Sequence, residues 1–204
     1  AWQTLSYALG ATSGFASGDT LWIAPGIYRE FITVGMTNPT VATYIKGDPS
    51  ASQFSGVTAG VIRITNYLTN DSSSPSDGIA LDLNDRDYLN FSNLYFDIVR
   101  VTQAYIVRLY TATWVSQFCS FTDCVFHSSY NVAAIYGDGT KQPVSINLTC
   151  ERCYFATFSG FQVTNSTSTT TYALNLYFKS CIFEFGGIYL GMAGVDTAQG
   201  EGPV

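Results

Sequence analysis

The chain has 204 residues, of which 47% are hydrophobic and only 12% charged. That suits one sizeable domain with a large core, and the charged share is about half the usual one. A net charge of −6 excludes a phosphate-backbone binder with its basic stripe, and no apolar run reaches the roughly 18 residues of a membrane span.

Ser, Thr, Asn, Gly, Tyr and Phe fill the space left by charge, the profile of a β-rich protein with many turns. With neither an initiator Met nor a signal-peptide pattern at its start, the sequence reads as a fragment or a processed form. Trp2, Leu5, Ala8 and Leu9 recur at helical spacing, so a short amphipathic helix is expected, ended by Gly10 and Gly14. "SGD" then predicts a turn and "TLWIA" a strand, "PG" another turn and "REFITV" a second strand. Residues 67–78, YLTNDSSSPSDG, read as a polar loop.

From residue 89 the chain repeats itself. LNFSNLYF (89–96), CSFTDCVF (119–126), LTCERCYF (148–155) and LYFKSCIF (176–183) align without gaps. Their final residues Phe96, Phe126, Phe155 and Phe183 are 30, 29 and 28 residues apart. Between them lie the strand candidates AYIVRLY (104–110), NVAAIYG (131–137) and SGFQVTN (159–165), and no good helix. Such a period predicts a β-solenoid, each repeat one coil stacked on the last at about 4.8 Å. Residues two apart share a face. The inward columns are then Leu89, Cys119, Leu148, Leu176; Phe91, Phe121, Cys150, Phe178; Leu94, Cys124, Cys153, Cys181; and Phe96, Phe126, Phe155, Phe183. All five cysteines fall in these columns and are expected to be small buried hydrophobes and free thiols. Asn93, Asp123, Arg152 and Ser180 share one turn position, so Asp123 is no partner for a cysteine.

The stretches "NFSNLYF" and "FTDCVFHSS" resemble the coil repeat of right-handed parallel β-helix proteins of the pectate-lyase-like superfamily. "WQTLSYAL…GDTLWIAPGIYRE" resembles that family's capping helix and first coil. The resemblance covers roughly residues 2 to 190. It implies an all-β fold, a right-handed parallel β-helix (solenoid) with a short N-terminal capping helix, of about six to eight coils. A single β-helix domain is expected over 1–194, with 1–18 as the capping region and 195–204 as a tail or linker. The superfamily holds lyases, hydrolases, phage tailspikes, adhesins and virion proteins, so the resemblance implies little about function.

Its lyases place several carboxylates around calcium beside a basic residue, and its hydrolases carry an Asp-Asp pair and a Gly-His-Gly signature. Neither set appears in this sequence. The one histidine, His127, follows Phe126 and reads as a surface residue near a turn. Asp82, Asp85 and Asp87 in "LDLNDRDYLNF" are the best acidic cluster, able in principle to hold calcium or to work as a carboxylate pair on a glycan. They also fit a strand with Asp82 outward, followed by a turn, with Arg86 neutralising part of the charge. Cys150 and Cys153 form a C-x-x-C without the second pair that a structural zinc site needs. No catalytic residue, metal or cofactor is therefore expected; if the protein is an enzyme, Asp82, Asp85 and Asp87 are the candidates.

Tyr95, Val125, Tyr154 and Ile182 each precede a final Phe and form an outward apolar column, the candidate interface. Another chain, a stacked glycan or the 67–78 segment are the candidate covers. Trimers are common among β-helical tailspikes, so the resemblance implies a homotrimer or a contact with neighbouring virion proteins. Two functions follow. One is a non-enzymatic structural or adhesive module, on a virion or an extracellular surface and folded in a reducing cytoplasm, with surface polysaccharide as a further partner. The alternative is a polysaccharide-degrading lyase, hydrolase or depolymerase domain.

Overall fold

A computed structural model describes residues 4–65, 79–98, 105–109, 116–128, 132–138, 144–165 and 172–192. Helix α1 (Leu5–Ala8) opens it. The first coil follows as β1 (Thr20–Ile23), β2 (Gly26–Arg29) and β3 (Ile32–Thr33), and the second as β4 (Thr43–Gly47), β5 (Ile62–Thr65) and β6 (Leu81–Asp82). The third is β7 (Leu89–Ser92), β8 (Tyr95–Ile98) and β9 (Tyr105–Arg108), and the fourth β10 (Cys119–Thr122), β11 (Val125–Ser128) and β12 (Ala133–Asp138). The fifth is β13 (Val144–Glu151), β14 (Tyr154–Ala156) and β15 (Ser159–Asn165), and the sixth β16 (Tyr172–Lys179), β17 (Ile182–Phe183) and β18 (Ile188–Met192).

Every third strand pairs in parallel with its counterpart one coil on. The result is three six-stranded sheets, in the orders β1-β4-β7-β10-β13-β16, β2-β5-β8-β11-β14-β17 and β3-β6-β9-β12-β15-β18. We refer to them as the first, second and third sheets. The molecule is a parallel β-helix, wound in the right-handed sense that parallel crossovers take. The 67–78 loop, the 195–204 tail and Trp2 lie outside the described residues.

The columns follow the expected register. Cys119 opposes Leu148, and Leu148 opposes Leu176. Phe91 opposes Phe121, which opposes Cys150, which opposes Phe178. On the second sheet Phe96, Phe126, Phe155 and Phe183 stack face to face, with centroids 5.4, 4.9 and 4.7 Å apart and rings within 10° of parallel. Phe121 meets Phe126 edge-on at 5.4 Å, tying the first sheet's aromatics to the second's. Offset and edge contacts of this kind add to simple area burial.

Between the first and second sheets the chain turns on a single residue in the left-handed region. Asn93, Asp123, Arg152 and Ser180 have φ of 56, 54, 53 and 54°. Asn and Asp tolerate this region best. Arg152 takes the same shape, and its guanidinium grips the Asp123 carboxylate one coil back, Nε–Oδ1 2.7 Å and a second nitrogen to Oδ2 2.8 Å. The corner keeps its ladder: the Asn93 and Asp123 amides donate to Thr122 and Glu151 carbonyls at 3.1 and 3.0 Å.

The "REFITV" stretch is divided between two sheets, Arg29 closing β2 and Ile32 opening β3. The bend falls where Glu30 is needed elsewhere. Its Oε1 accepts the Leu5 amide at 2.9 Å and its Oε2 the Ser6 amide at 2.8 Å, two of the donors a helix start leaves open. Leu5, Ala8 and Leu9 are thereby seated on the core. Glu30→Ala is expected to lower unfolding free energy by about 1–2 kcal/mol, as lost helix caps do. Denaturant titration of the variant checks this, and an unchanged midpoint would mean that water replaces the carboxylate without cost.

Candidate functional site

On the outer face of the second sheet two columns run along the rod. Arg63, Tyr95, Val125, Tyr154 and Ile182 form one, in continuous register. Thr65, Asp97, His127 and Ala156 form the other. The second sheet's inward residues on either side of Asp97 are Phe96 and Ile98, so the carboxylate points away from the core, yet it is only 1% exposed. A buried carboxylate is costly unless paired and hydrogen-bonded. Asp97 has both kinds of partner. The Arg63 guanidinium binds Oδ2 from the coil before, and His127 Nδ1 lies 2.8 Å from Oδ1 in the coil after.

The imidazole is thus held through Nδ1, while its side chain stays 44% exposed. That leaves Nε2 as the nitrogen a ligand can reach. Tyr95 flanks both partners: its ring centroid is 6.2 Å from that of His127 and 5.9 Å from the Arg63 guanidinium. Burial, and then the Asp97 charge, push the Tyr95 hydroxyl above its ordinary pKa. A carboxylate that orients an imidazole, with a cation and a phenol alongside, is an arrangement suited to proton transfer on a bound polar substrate.

The acidic cluster expected from the sequence is divided by the fold. Asp82 closes β6 and is 3% exposed, facing outward but covered. Its Oδ2 binds Arg108 of the next coil, and its Oδ1 accepts the Asn84 amide at 3.1 Å. Arg86, expected to neutralise part of the cluster, donates its Nε–H to the Met36 carbonyl at 2.6 Å. Asn84 and Asp85 form a left-handed turn with φ of 50 and 62°. Asp87 ties the turn down, accepting the Gln117 amide at 2.7 Å and the Asn38 amide group at 3.1 Å. Each of the three has a local structural task, and they do not converge on one point. No group of three or more His, Cys, Asp or Glu placed to hold a metal ion occurs among the described residues.

His127 is the last residue but one of β11, in register with Asp97, and its side chain is at the surface as expected; residues 129–131, which follow the strand, lie outside the described residues. In the apolar column Tyr95, Val125 and Tyr154 are half-buried and Ile182 is exposed. Tyr154 donates its hydroxyl to Glu184. The Arg63–Asp97–His127 group was missed by the sequence reading, although the repeat contains its signal. Asp97 follows Phe96 and His127 follows Phe126, so the step that aligns the phenylalanines aligns this pair.

All five cysteines are free, four of them buried and Cys181 half-buried at the last described coil. Cys124 and Cys153 donate to the Phe91 and Phe121 carbonyls of the coil before. Burial pushes the Cys119 thiol up to about 12, and Cys124 and Cys150 well above the ordinary thiol value. Hydrogen bonds from Cys124 and Cys150 pull the Cys153 thiol the other way, but it too is buried. Because Cys181 is the one cysteine that is not fully buried, thiol labelling of the native protein should modify it first and leave the other four until the chain unfolds. Fast reaction at all five would contradict the packing.

No family model matches the chain, and no curated protein sequence matches it either. Among solved structures it is similar to the pectin methylesterase from Aspergillus niger in deglycosylated form, with a TM-score of 0.44, 12% sequence identity and coverage of 97% of this chain and 84% of that one. The same enzyme in penultimately deglycosylated form, carrying an N-acetylglucosamine stub, gives a TM-score of 0.46 at the same identity and coverage.

Proposed function

We propose that this parallel β-helix is a carbohydrate-active protein in which His127 exchanges a proton with a bound polysaccharide. Asp97 holds the imidazole, and Arg63 supplies positive charge beside the reacting group. The observation that supports this reading is the Asp97 carboxylate. It is kept at 1% exposure on the outside of the rod, and it is bound to an imidazole that is itself open to ligand. Well-packed apolar residues in place of a buried ion pair are often neutral or stabilising, so a retained pair of this kind supports a role beyond packing. The half-buried tyrosines Tyr95 and Tyr154 offer rings on which a sugar can lie, two coils apart on the same face.

The test is a panel of neutral and uronate-bearing polysaccharides incubated with the wild type, His127→Gln and Asp97→Asn, scored for new reducing ends, released acyl groups and new carbon–carbon double bonds. Turnover by the wild type that falls roughly 10²–10⁴-fold in His127→Gln, mainly in kcat and with an altered pH profile, is the expected result. Equal turnover in His127→Gln would remove the histidine from the chemistry. Binding without any turnover would instead favour the adhesive reading, with the same tyrosines as contacts. The virion placement and the homotrimer draw no support from the fold or from the comparisons.

A further inference from the structure

The outer face of the first sheet has a different chemistry. Trp22 and Tyr44, in the first two coils, are 40% and 37% exposed, and Tyr177 in the sixth is 71% exposed. Trp22 opposes Lys46 across the ladder, and Tyr44 stands two residues before it on the same face. The Lys46 ammonium sits 4.6 Å from the Tyr44 ring centroid and 5.6 Å from that of Trp22. Such contacts hold a cation in place without neutralising it.

Between the aromatic ends the face is polar. Tyr44 leads in register through Asn90, Ser120 and Thr149 to Tyr177. The Ser120 hydroxyl donates to the Asn90 side-chain oxygen at 2.6 Å, which fixes the direction of that row. Other charges near this face pair among themselves: Lys179 with Glu151 at 3.2 Å, and Arg152 with Glu151 and Asp123. Lys46 is the cation of this face that has no carboxylate partner among the described residues.

We propose that this face is a second binding surface, for an acidic polysaccharide lying along the rod. Its anchor is the Trp22–Lys46–Tyr44 group: a sugar-acid ring stacks on the aromatic faces and its carboxylate meets the ammonium. The charge argument selects the ligand, since the unmatched group is a single positive charge between two flat apolar surfaces. A nucleic acid would need a row of cations, and the chain's net charge of −6 opposes one. A membrane or helical partner would need an aliphatic patch, whereas the exposed apolar groups here are aromatic rings spaced by hydroxyls and amides. Tyr44 and Tyr177 are four coil steps apart, about 19 Å at the usual strand spacing, so a ligand reaching both is an oligosaccharide. The surface shares a ligand class with the proposed function but none of its residues.

Binding is measured on the full chain carrying His127→Gln, so that turnover plays no part. The probes are uronate oligosaccharides and the same oligosaccharides after chemical reduction of their carboxyl groups. Preference for the uronate form by roughly tenfold is expected, in line with a charge-assisted contact. Lys46→Met should abolish the preference and Lys46→Arg should retain it, with unfolding midpoints unchanged. Trp22→Ala should weaken both forms. Equal binding of the two forms by the parent, a preference that survives Lys46→Met, or tighter binding of single-stranded DNA would each overturn the assignment. A failed cleavage assay with this pattern intact would count against His127 alone.

Discussion

Replacing Phe126 with alanine is expected to remove about 3–5 kcal/mol of unfolding free energy, a large part of the 5–15 kcal/mol that a native domain has. Phe126 is fully buried between Phe96 and Phe155 and touches Phe121 edge-on. Its removal opens a cavity flanked on both sides by rings held in ladder register. Neither ring can move into the gap without breaking its own coil's hydrogen bonds, so the site collapses poorly and the cost falls at the upper end. Phe126→Leu should lose much less. Urea titration with an unchanged m-value is the check, and a loss under about 1 kcal/mol would show that the stack yields more easily than close packing allows.

The second large effect concerns Arg63. Arg63→Met is expected to cost about 3–5 kcal/mol, because it leaves the Asp97 carboxylate buried with one of its two partners gone. The side chains differ in exposure, Arg63 at 41% and Asp97 at 1%, so the penalty arises from the carboxylate that cannot reach water. If so, Arg63→Met combined with Asp97→Leu should recover most of the loss, although it removes one group more. A double variant as unstable as the single one would mean that Arg63 contributes through its stem packed near Tyr95, and not through charge.

The columns were legible because two periods reinforce one another from the third coil onward: alternate residues within a strand, and steps of 30, 29 and 28 residues between coils. The first two coils were hidden from the same search. The positions equivalent to Phe96 hold Tyr28 and Ile64, and the steps between them are 36 and 32 residues. The two-residue strands β3, β6 and β17 are too short to show any alternation. The acidic stretch has the strand and turn that its residue types predict, Asp82 on β6 and then Asn84 and Asp85 at the turn, but the partners of its carboxylates were hidden. In a coil that turns at Asn84 and Asp85, Asp82 and Asp87 find their partners in other coils, Arg108 and Gln117. The site that does converge joins three coils, and its members Arg63, Asp97 and His127 are 34 and 30 residues apart.

The near-constant step has a consequence for how the chain is made. Seating one coil on the next closes a loop of about the same length each time, and the entropy of closure changes by only about 0.6 kcal/mol even for a doubling of loop length. No strand must search the whole chain for its partner. The first coil, already closed by α1, leaves the ribosome before the coils that stack on it. Each later coil meets a finished edge as soon as its own thirty-odd residues have emerged, so the order of synthesis and the order of growth along the rod coincide.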